Sequence, residues 1–489
     1  MSLTNLSNNG KAVVKDEVSS PTAMEGVTRT TFQPVTLENN AHHQAPLDSS
    51  GRDDKIKGQG HIGSSTHEVE PSSLAPSMPE PAMTAWKKPL GFRELMQYCV
   101  TALDAGNIAA VNADLLAMSH LALAACNGDP TQRVAFAFAE ALGRRALQST
   151  LPGLSWGLGL QLVQQPAPQY ADAARRCFDA LCPFLRVAAS AANQTIVTAM
   201  AAEKHVHVVD LGGASPNQWL DLLRLFTAAR PEGAPVLRLS VVSEQEAFLS
   251  RTAGLLTQEA VRLHVPFIFN PVRSHIDRFS APDIAALGVH LGEALVITST
   301  LQLHRLIADE TSVQLPAGPH QMTKADALLR VLCDLSPKLM LLTEQEADHN
   351  GASLWDRVSN AFNYYVALFN DLEAGGGAPR ESVDRAAVER LLLREEIMDI
   401  VARDGSSRRE RHESMKRWAQ RMGVAGFKPA PVMSYDQFED AGLQALQLAA
   451  DGTLRYWVRN EDASIISIYS RMTPIFSVTA WRPAKKNGK

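Results

Sequence analysis

The residues with the clearest chemical potential lie in "HVVDLGGASPNQW", His207 to Trp219. A β-branched run ends in Asp210, two glycines follow (Gly212 and Gly213), and polar residues lead into an apolar helix. Glycines after a strand let backbone approach a nucleotide or a methyl donor, with the anion resting on the next helix's N-terminus. On that reading Asp210, Gly212 and Gly213 bind an S-adenosylmethionine-type cofactor, and Glu244, closing the second strand, grips the ribose hydroxyls. The spacing argues against it. One adjacent glycine pair is not a Gly-x-Gly-x-Gly loop, and Pro216 removes a backbone N–H while suiting the first turn of a helix. The residues alone therefore favour a structural strand-to-helix turn, with no catalytic residue and no bound cofactor expected.

Other candidate chemistry is thinner. "TEQEADHNG" gathers Glu344, Glu346, Asp348 and His349, ligand types a metal accepts, but no second cluster lies at ligand spacing and no metal is expected. "SRRERHE" supplies Arg408, Arg409, Arg411 and His412 downstream of Glu395, Glu396, Asp399 and Asp404; intramolecular ion pairs on a helix surface are expected before phosphate contacts. Ser243, Ser299 and Ser477 have no Gly-x-Ser-x-Gly setting.

The elements that must position these residues follow from periodicity. From Gly91 to Thr150 apolar spacing is helical, broken near Asn107 and at "CNGDPTQ", and a second helical passage runs from Ala171 to Ala201. After His205, strands alternate with helices: "HVHVVDL", "VLRLSVVSE", "PFIFNPV", "EALVITSTL" and "PKLMLLTEQ". Helical connections of this length pair strands in parallel, predicting a Rossmann-like α/β sheet with helices on both faces. "QLHRLIAD" and "VERLLLREEIMDIVA" read as helices, and "TLRYWVRN", "SIISIYS" and "FSVTAWR" as short strands forming an antiparallel edge.

Composition sets the remaining bounds. With 489 residues, 45% hydrophobic, the chain can bury a large core, and a net charge of -5 argues against bulk nucleic-acid binding. Five scattered cysteines (Cys99, Cys126, Cys177, Cys182, Cys333) without a CxxC fit a reducing compartment. No run is long enough to span a membrane and no leader pattern opens the chain, so a soluble, non-secreted protein is expected. Residues 1–85 hold Phe32 as their one aromatic and are rich in Ser, Pro and Asn, the composition of a disordered tail.

The order of these motifs resembles the GRAS family of plant transcriptional regulators across about Gly91 to Arg482. Residues Phe92 to Leu147 look like its first leucine-rich region. "VHVVDLGGASPNQW" resembles the VHIID motif, matched at Val206, His207, Asp210, Gln218 and Trp219. "VPFIFNPV" and "GEALVITSTLQLHRL" resemble the second leucine-rich region. "LSPKLMLLTEQEADHNG", containing Glu344, resembles the region named from Pro-Phe-Tyr-Arg-Glu. "GSSRRERHE", Trp418 and "PIFSVTAWR", ending on Trp481, resemble the closing segment. The wording of "LQLH" and "RRERHE" is similar to the scarecrow-like protein 3 branch, from which Gly212, Gly213 and Thr479 depart.

The resemblance implies a methyltransferase-like sheet (about 205–482) with a helical cap (about 91–201), in a domain spanning 86–482 before a basic tail, 483–489. It implies a nuclear co-regulator binding zinc-finger transcription factors and other GRAS proteins, in gibberellin signalling and root development; for the helical cap, periodicity leaves both an intramolecular bundle and a homo- or heterodimerisation face open. Two further readings stay open: a methyltransferase or small-molecule-binding protein on the same fold, and a direct DNA-binding factor, against which stand the acidic charge and the lack of a DNA-binding motif.

Overall fold

The computed structural model describes residues 91–122, 128–150, 168–307, 322–374, 382–433 and 456–484. The expected tail 1–85 and the lysines of the basic C-terminal segment lie outside the described residues.

The helical start comprises α1 (Phe92–Asp104), α2 (Ile108–Leu121), α3 (Pro130–Thr150), α4 (Pro168–Leu181) and α5 (Phe184–Ala199). Asn107 is the break anticipated between the first two: its side-chain oxygen accepts the Ala110 N–H at 3.1 Å and caps α2. The α/β part then runs β1 (His205–Asp210), α6 (Pro216–Ala229), β2 (Val236–Val242), α7 (Glu246–Arg262), β3 (Phe267–Val272), α8 (Ala281–Ala286) and β4 (Ala294–Thr300). It continues through α9 (Lys324–Asp334), β5 (Leu339–Gln345), α10 (Leu354–Ala374), α11 (Val383–Val388), α12 (Arg394–Ala402) and α13 (Met415–Ala425). Four strands close it: β6 (Phe427–Pro429), β7 (Tyr456–Asp462), β8 (Ile465–Ser470) and β9 (Thr473–Pro483).

One mixed sheet organises these elements, in the order β3-β2-β1-β4-β5-β9-β8-β7, with β6 also on β9. The first five strands pair in parallel, as their helical connections require, and β9 runs antiparallel to β5. Strand alternation divides the core. Val206, Val208, Leu239 and Leu341 join a cluster with α1, α3, α5, α6 and α10 on one face. Val209, Ile297, Met340 and Trp481 join a second with α9 and α13 on the other. A sheet buried on both faces explains why its parallel strands read as nearly continuous apolar runs.

Two readings change. The described part of "QLHRLIAD" forms a 3-10 turn, Leu303–Ile307, because its side chains are drawn into a buried polar cluster. The helix expected through "VERLLLREEIMDIVA" contains a π-turn, Glu389–Leu393, before α12. The helical start also packs against later elements. Phe92 stacks on Phe362 of α10 with centroids 5.8 Å apart, and Phe184 of α5 lies against Tyr456 and Phe476 of the sheet.

Candidate functional site: the carboxyl rim of the parallel strands

In open α/β sheets a ligand crevice forms where strand order reverses, here between β1 and β4. The chain itself closes that crevice. Leu211 N–H donates to the Thr298 carbonyl at 2.9 Å, and Thr300 N–H donates to the Gly212 carbonyl at 3.2 Å, so backbone continues across the rim. Gly212 and Gly213 take φ of +110° and +88°. A Cβ on Gly213 would stand 1.8 Å from the Thr300 carbonyl oxygen and 2.9 Å from Gln302 Nε2. The second glycine thus exists for contact with the chain's own β4, and Gln302 lies over the pair.

Asp210 organises the turn from within. Its Oδ1 accepts the Gly212 N–H at 2.8 Å and its Oδ2 accepts the Trp219 indole N–H at 3.2 Å. Burial pushes its carboxyl up to about 6, against the pull of those two donors. Asp210 is thus a loop acceptor; the cap of α6 is Ser215, with Pro216 in the first turn. Trp219 is buried against the sheet. Gln218 is buried, its carbonyl accepting from Asn193 of α5 at 2.7 Å. Val206 lies in the first core cluster. His207 faces the other way, its Nε2 2.8 Å from Ser240 Oγ and its Nδ1 3.3 Å from Glu293. Burial lowers its pKa to about 4, overcoming Glu293, and keeps it neutral. Glu244 is not turned to a ribose: it is half exposed and paired with Arg278 at 2.7 Å.

Beside the closed crevice lies a buried polar cluster that the linear motifs conceal. Glu344, ending β5, holds the 3-10 turn by both oxygens: Leu303 N–H donates at 3.1 Å and His304 Nδ1 lies at 2.7 Å. His304 Nε2 reaches Glu410 Oε2 at 2.8 Å, and Arg305 pairs with the other oxygen of Glu410 at 3.1 Å. Burial opposes a charge on His304, but Glu344 and Glu410 outweigh it and raise the imidazole to about 9. Glu410 is held well below the usual carboxylate range despite burial, by Arg305 and His304. Asp399 of α12 receives the N–H groups of Arg409 and Glu410 at 2.7 and 2.8 Å. Tyr365 donates to Glu396 at 2.8 Å; burial and the nearby Glu410 raise Glu396 to about 7.

The arginines of "SRRERHE" therefore do not lie on a helix surface. The segment is a 3-10 turn, Gly405–Ser407, followed by non-helical chain to α13, and it is built into the fold. Arg408 is buried and donates to the His349 carbonyl at 2.9 Å; Arg409 pairs with Asp277; Arg411 reaches the Gly405 carbonyl at 2.7 Å. Buried His412 meets His349, Nδ1 to Nδ1, at 3.0 Å. The acids of "TEQEADHNG" part company: Glu344 takes His304, while Glu346 accepts the Met415 N–H at 2.9 Å and starts α13. Trp418 of α13 and Trp481 of β9 are buried together in the second cluster. Trp481 donates its indole N–H to Thr479 Oγ1 at 2.8 Å. The linear motifs contain His304, Glu396 and Glu410 but do not show that they meet, because they lie on separate segments.

A Rossmann-like sheet, its switch point bridged by its own backbone and its rim occupied by an internal ion network, defines an α/β scaffold of the open, mostly parallel class. The description of the GRAS domain family matches residues 92–482. Scarecrow-like protein 3 of Arabidopsis thaliana is 34% identical over 440 residues, covering 80% of this chain and 88% of its own length. Scarecrow-like transcription factor PAT1 of the same plant is 31% identical, covering 63% of this chain and 60% of its own. The crystal structure of SCL7 in Oryza sativa superposes with a TM-score of 0.64 at 28% identity, covering 80% of this chain and all of that one. The chain belongs to the GRAS domain family.

Proposed function

We propose that this chain is a plant transcriptional regulator, not an enzyme, that acts in the nucleus by binding other proteins. Zinc-finger transcription factors and other GRAS proteins are its proposed partners, with gibberellin signalling and root development as the setting. The observation that carries the reading is the closure of the β1–β4 crevice by Gly213 against Thr300, in a family whose relatives include a named transcription factor. A scaffold with its ligand crevice filled offers its outer faces for work. On the helical part, Tyr98, Ile108, Leu116 and Leu121 stand exposed on α1 and α2, apolar side chains that homo- or heterodimerisation could cover.

The test is co-purification of the full chain from plant nuclei beside a Leu116→Glu, Leu121→Glu variant. Transcription factors and GRAS proteins should accompany the parent chain, and GRAS partners should be lost from the variant while its circular dichroism stays unchanged. A parent chain absent from nuclei, or recovered there without such partners, would refute the reading. Calorimetry with S-adenosylmethionine should give no heat; micromolar binding abolished by Glu244→Ala would restore the methyltransferase alternative. A random DNA pool should yield no selected motif with the chain alone, and a motif bound with steep salt dependence would establish direct DNA contact.

A further inference from the structure

Three side chains at the rim converge in a way no single motif encodes. His304 comes from the 3-10 turn after β4, and Glu410 and His412 from the segment leading into α13. Each offers one ligand atom, those atoms lie within 4.8 Å of one another, and all three residues are buried. His304 Nε2 is 2.8 Å from Glu410 Oε2, and His412 Nε2 is 3.3 Å from the same oxygen.

Both imidazoles are also held from behind. His304 Nδ1 faces Glu344 at 2.7 Å, and His412 Nδ1 faces His349 Nδ1 at 3.0 Å. Occupying the outer nitrogen in this way fixes the tautomer and leaves the inner nitrogen's lone pair for a cation. A separate observation points to the same place. The buried His412 Nε2 is aimed at Glu410 Oε2 but stands 3.3 Å from it, a long contact beside the roughly 2.7–2.9 Å of a charge-assisted hydrogen bond. A cation drawn between the two would replace that loose contact with two bonds.

We propose that His304 Nε2, Glu410 Oε2 and His412 Nε2 bind one divalent transition-metal ion of the zinc type, clamping the 3-10 turn after β4 to the segment before α13. Two imidazoles and a carboxylate suit zinc better than calcium or magnesium, which favour oxygen donors, or copper(I), which favours sulfur. In a tetrahedral zinc site with bonds of about 2.0–2.1 Å, donors stand roughly 3.3 Å apart. The His412–Glu410 spacing already fits, and the His304–Glu410 gap opens by about half an ångström. The ion takes the place of the proton between His304 Nε2 and Glu410, and that proton leaves to solvent. Glu344 and Asp399 offset the added charge, while Arg305 on the far oxygen of Glu410 opposes it. Three protein donors leave a fourth position for water. The proposal is independent of the transcriptional reading.

The experiment treats the full chain with a chelator and then titrates zinc, or cobalt(II) as a coloured substitute. One equivalent should bind, raise the melting temperature and, with cobalt, give the visible absorption of a four-coordinate nitrogen–oxygen site. Glu344→Gln should weaken binding about 10–100-fold through the imidazole it orients. His412→Gln should abolish the one-equivalent site while its circular dichroism stays native. X-ray absorption at the zinc edge of the parent chain supplies a readout that needs no variant, and two imidazoles should appear in the shell. A parent chain that binds no equivalent of metal, a folded His412→Gln that binds as well as the parent, or a shell without two imidazoles overturns the proposal.

Discussion

At the scale of single residues, Asp210 and Trp219 show how a motif with the look of a cofactor grip can serve the fold. The carboxylate spends both oxygens inward, one on the loop and one on the indole. Replacing buried Trp219 or Trp481 by Ala should cost roughly 3–5 kcal/mol in urea melts, from lost packing and the cavity left behind. Asp210 also carries a pH signature. Its folded pKa, about 6, lies above the ordinary aspartate value of 3.8, so the folded state holds the proton more tightly. Its contribution is complete below about pH 4 and is lost as pH rises through 6. Asp210→Asn should flatten the stability profile across that window, measured as urea midpoints from pH 4 to 7. Thr479 gives a sharper contrast. Its hydroxyl accepts the Trp481 indole N–H, a task Ser performs equally well. Thr479→Ser should therefore be nearly neutral, whereas Thr479→Val strands a buried donor and should cost about 1–3 kcal/mol in the same melts.

At the scale of elements, the strand-to-helix turn after β1 is decided by the neighbour it touches. Both glycines have positive φ, but only Gly213 meets backbone at a distance no side chain tolerates. Gly213→Ala must part β1 from β4 and should cost about 2–5 kcal/mol, strain and overpacking together. Gly212→Ala, with its nearest contact at 3.4 Å, should cost about 1–2 kcal/mol. Thermal melts of the two variants side by side test the ordering, and equal losses would contradict the closed crevice. Much of this layer was legible. The five parallel strands announce themselves as β-branched runs, and Asn107, Ser215 and Pro216 are local signals with local effects. What periodicity could not reveal was set by distant chain. "QLHRLIAD" has helical spacing, yet Glu344 holds its first turn as 3-10. The arginines of "SRRERHE" suit an exposed helix, but Asp399 takes the backbone N–H groups of Arg409 and Glu410 and keeps them from one. The helices α9 and α13 answer to the second core face, where Leu329, Leu332, Trp418 and Met422 are buried, while α8 and α11 are six-residue helices too short to show a period.

At the scale of the whole molecule, the helical start and the sheet share one hydrophobic cluster. Phe138 meets Phe362 edge-on at 5.3 Å, and Arg133 bridges Glu373 and Glu389 from the later helices. Deleting residues 91–147 should therefore collapse soluble expression instead of yielding a trimmed sheet, and a soluble deletion product with native circular dichroism would show the layers to be separable. The family fold was legible from the order of motifs, whereas the rim network was not, since it joins segments around residues 304, 344, 396 and 410 that are far apart in sequence.

The place of β9 has a consequence for how the chain is made. This strand lies between β5 and β8, inside the sheet, although it is encoded after every other strand. Until the ribosome has passed from Gln345 to Thr473, the flank of β5 stands bare, a row of amides and carbonyls open to any extended peptide. The nascent chain therefore needs sheltering during translation, and a premature stop before Thr473 leaves a protein with a sticky seam where its centre should be.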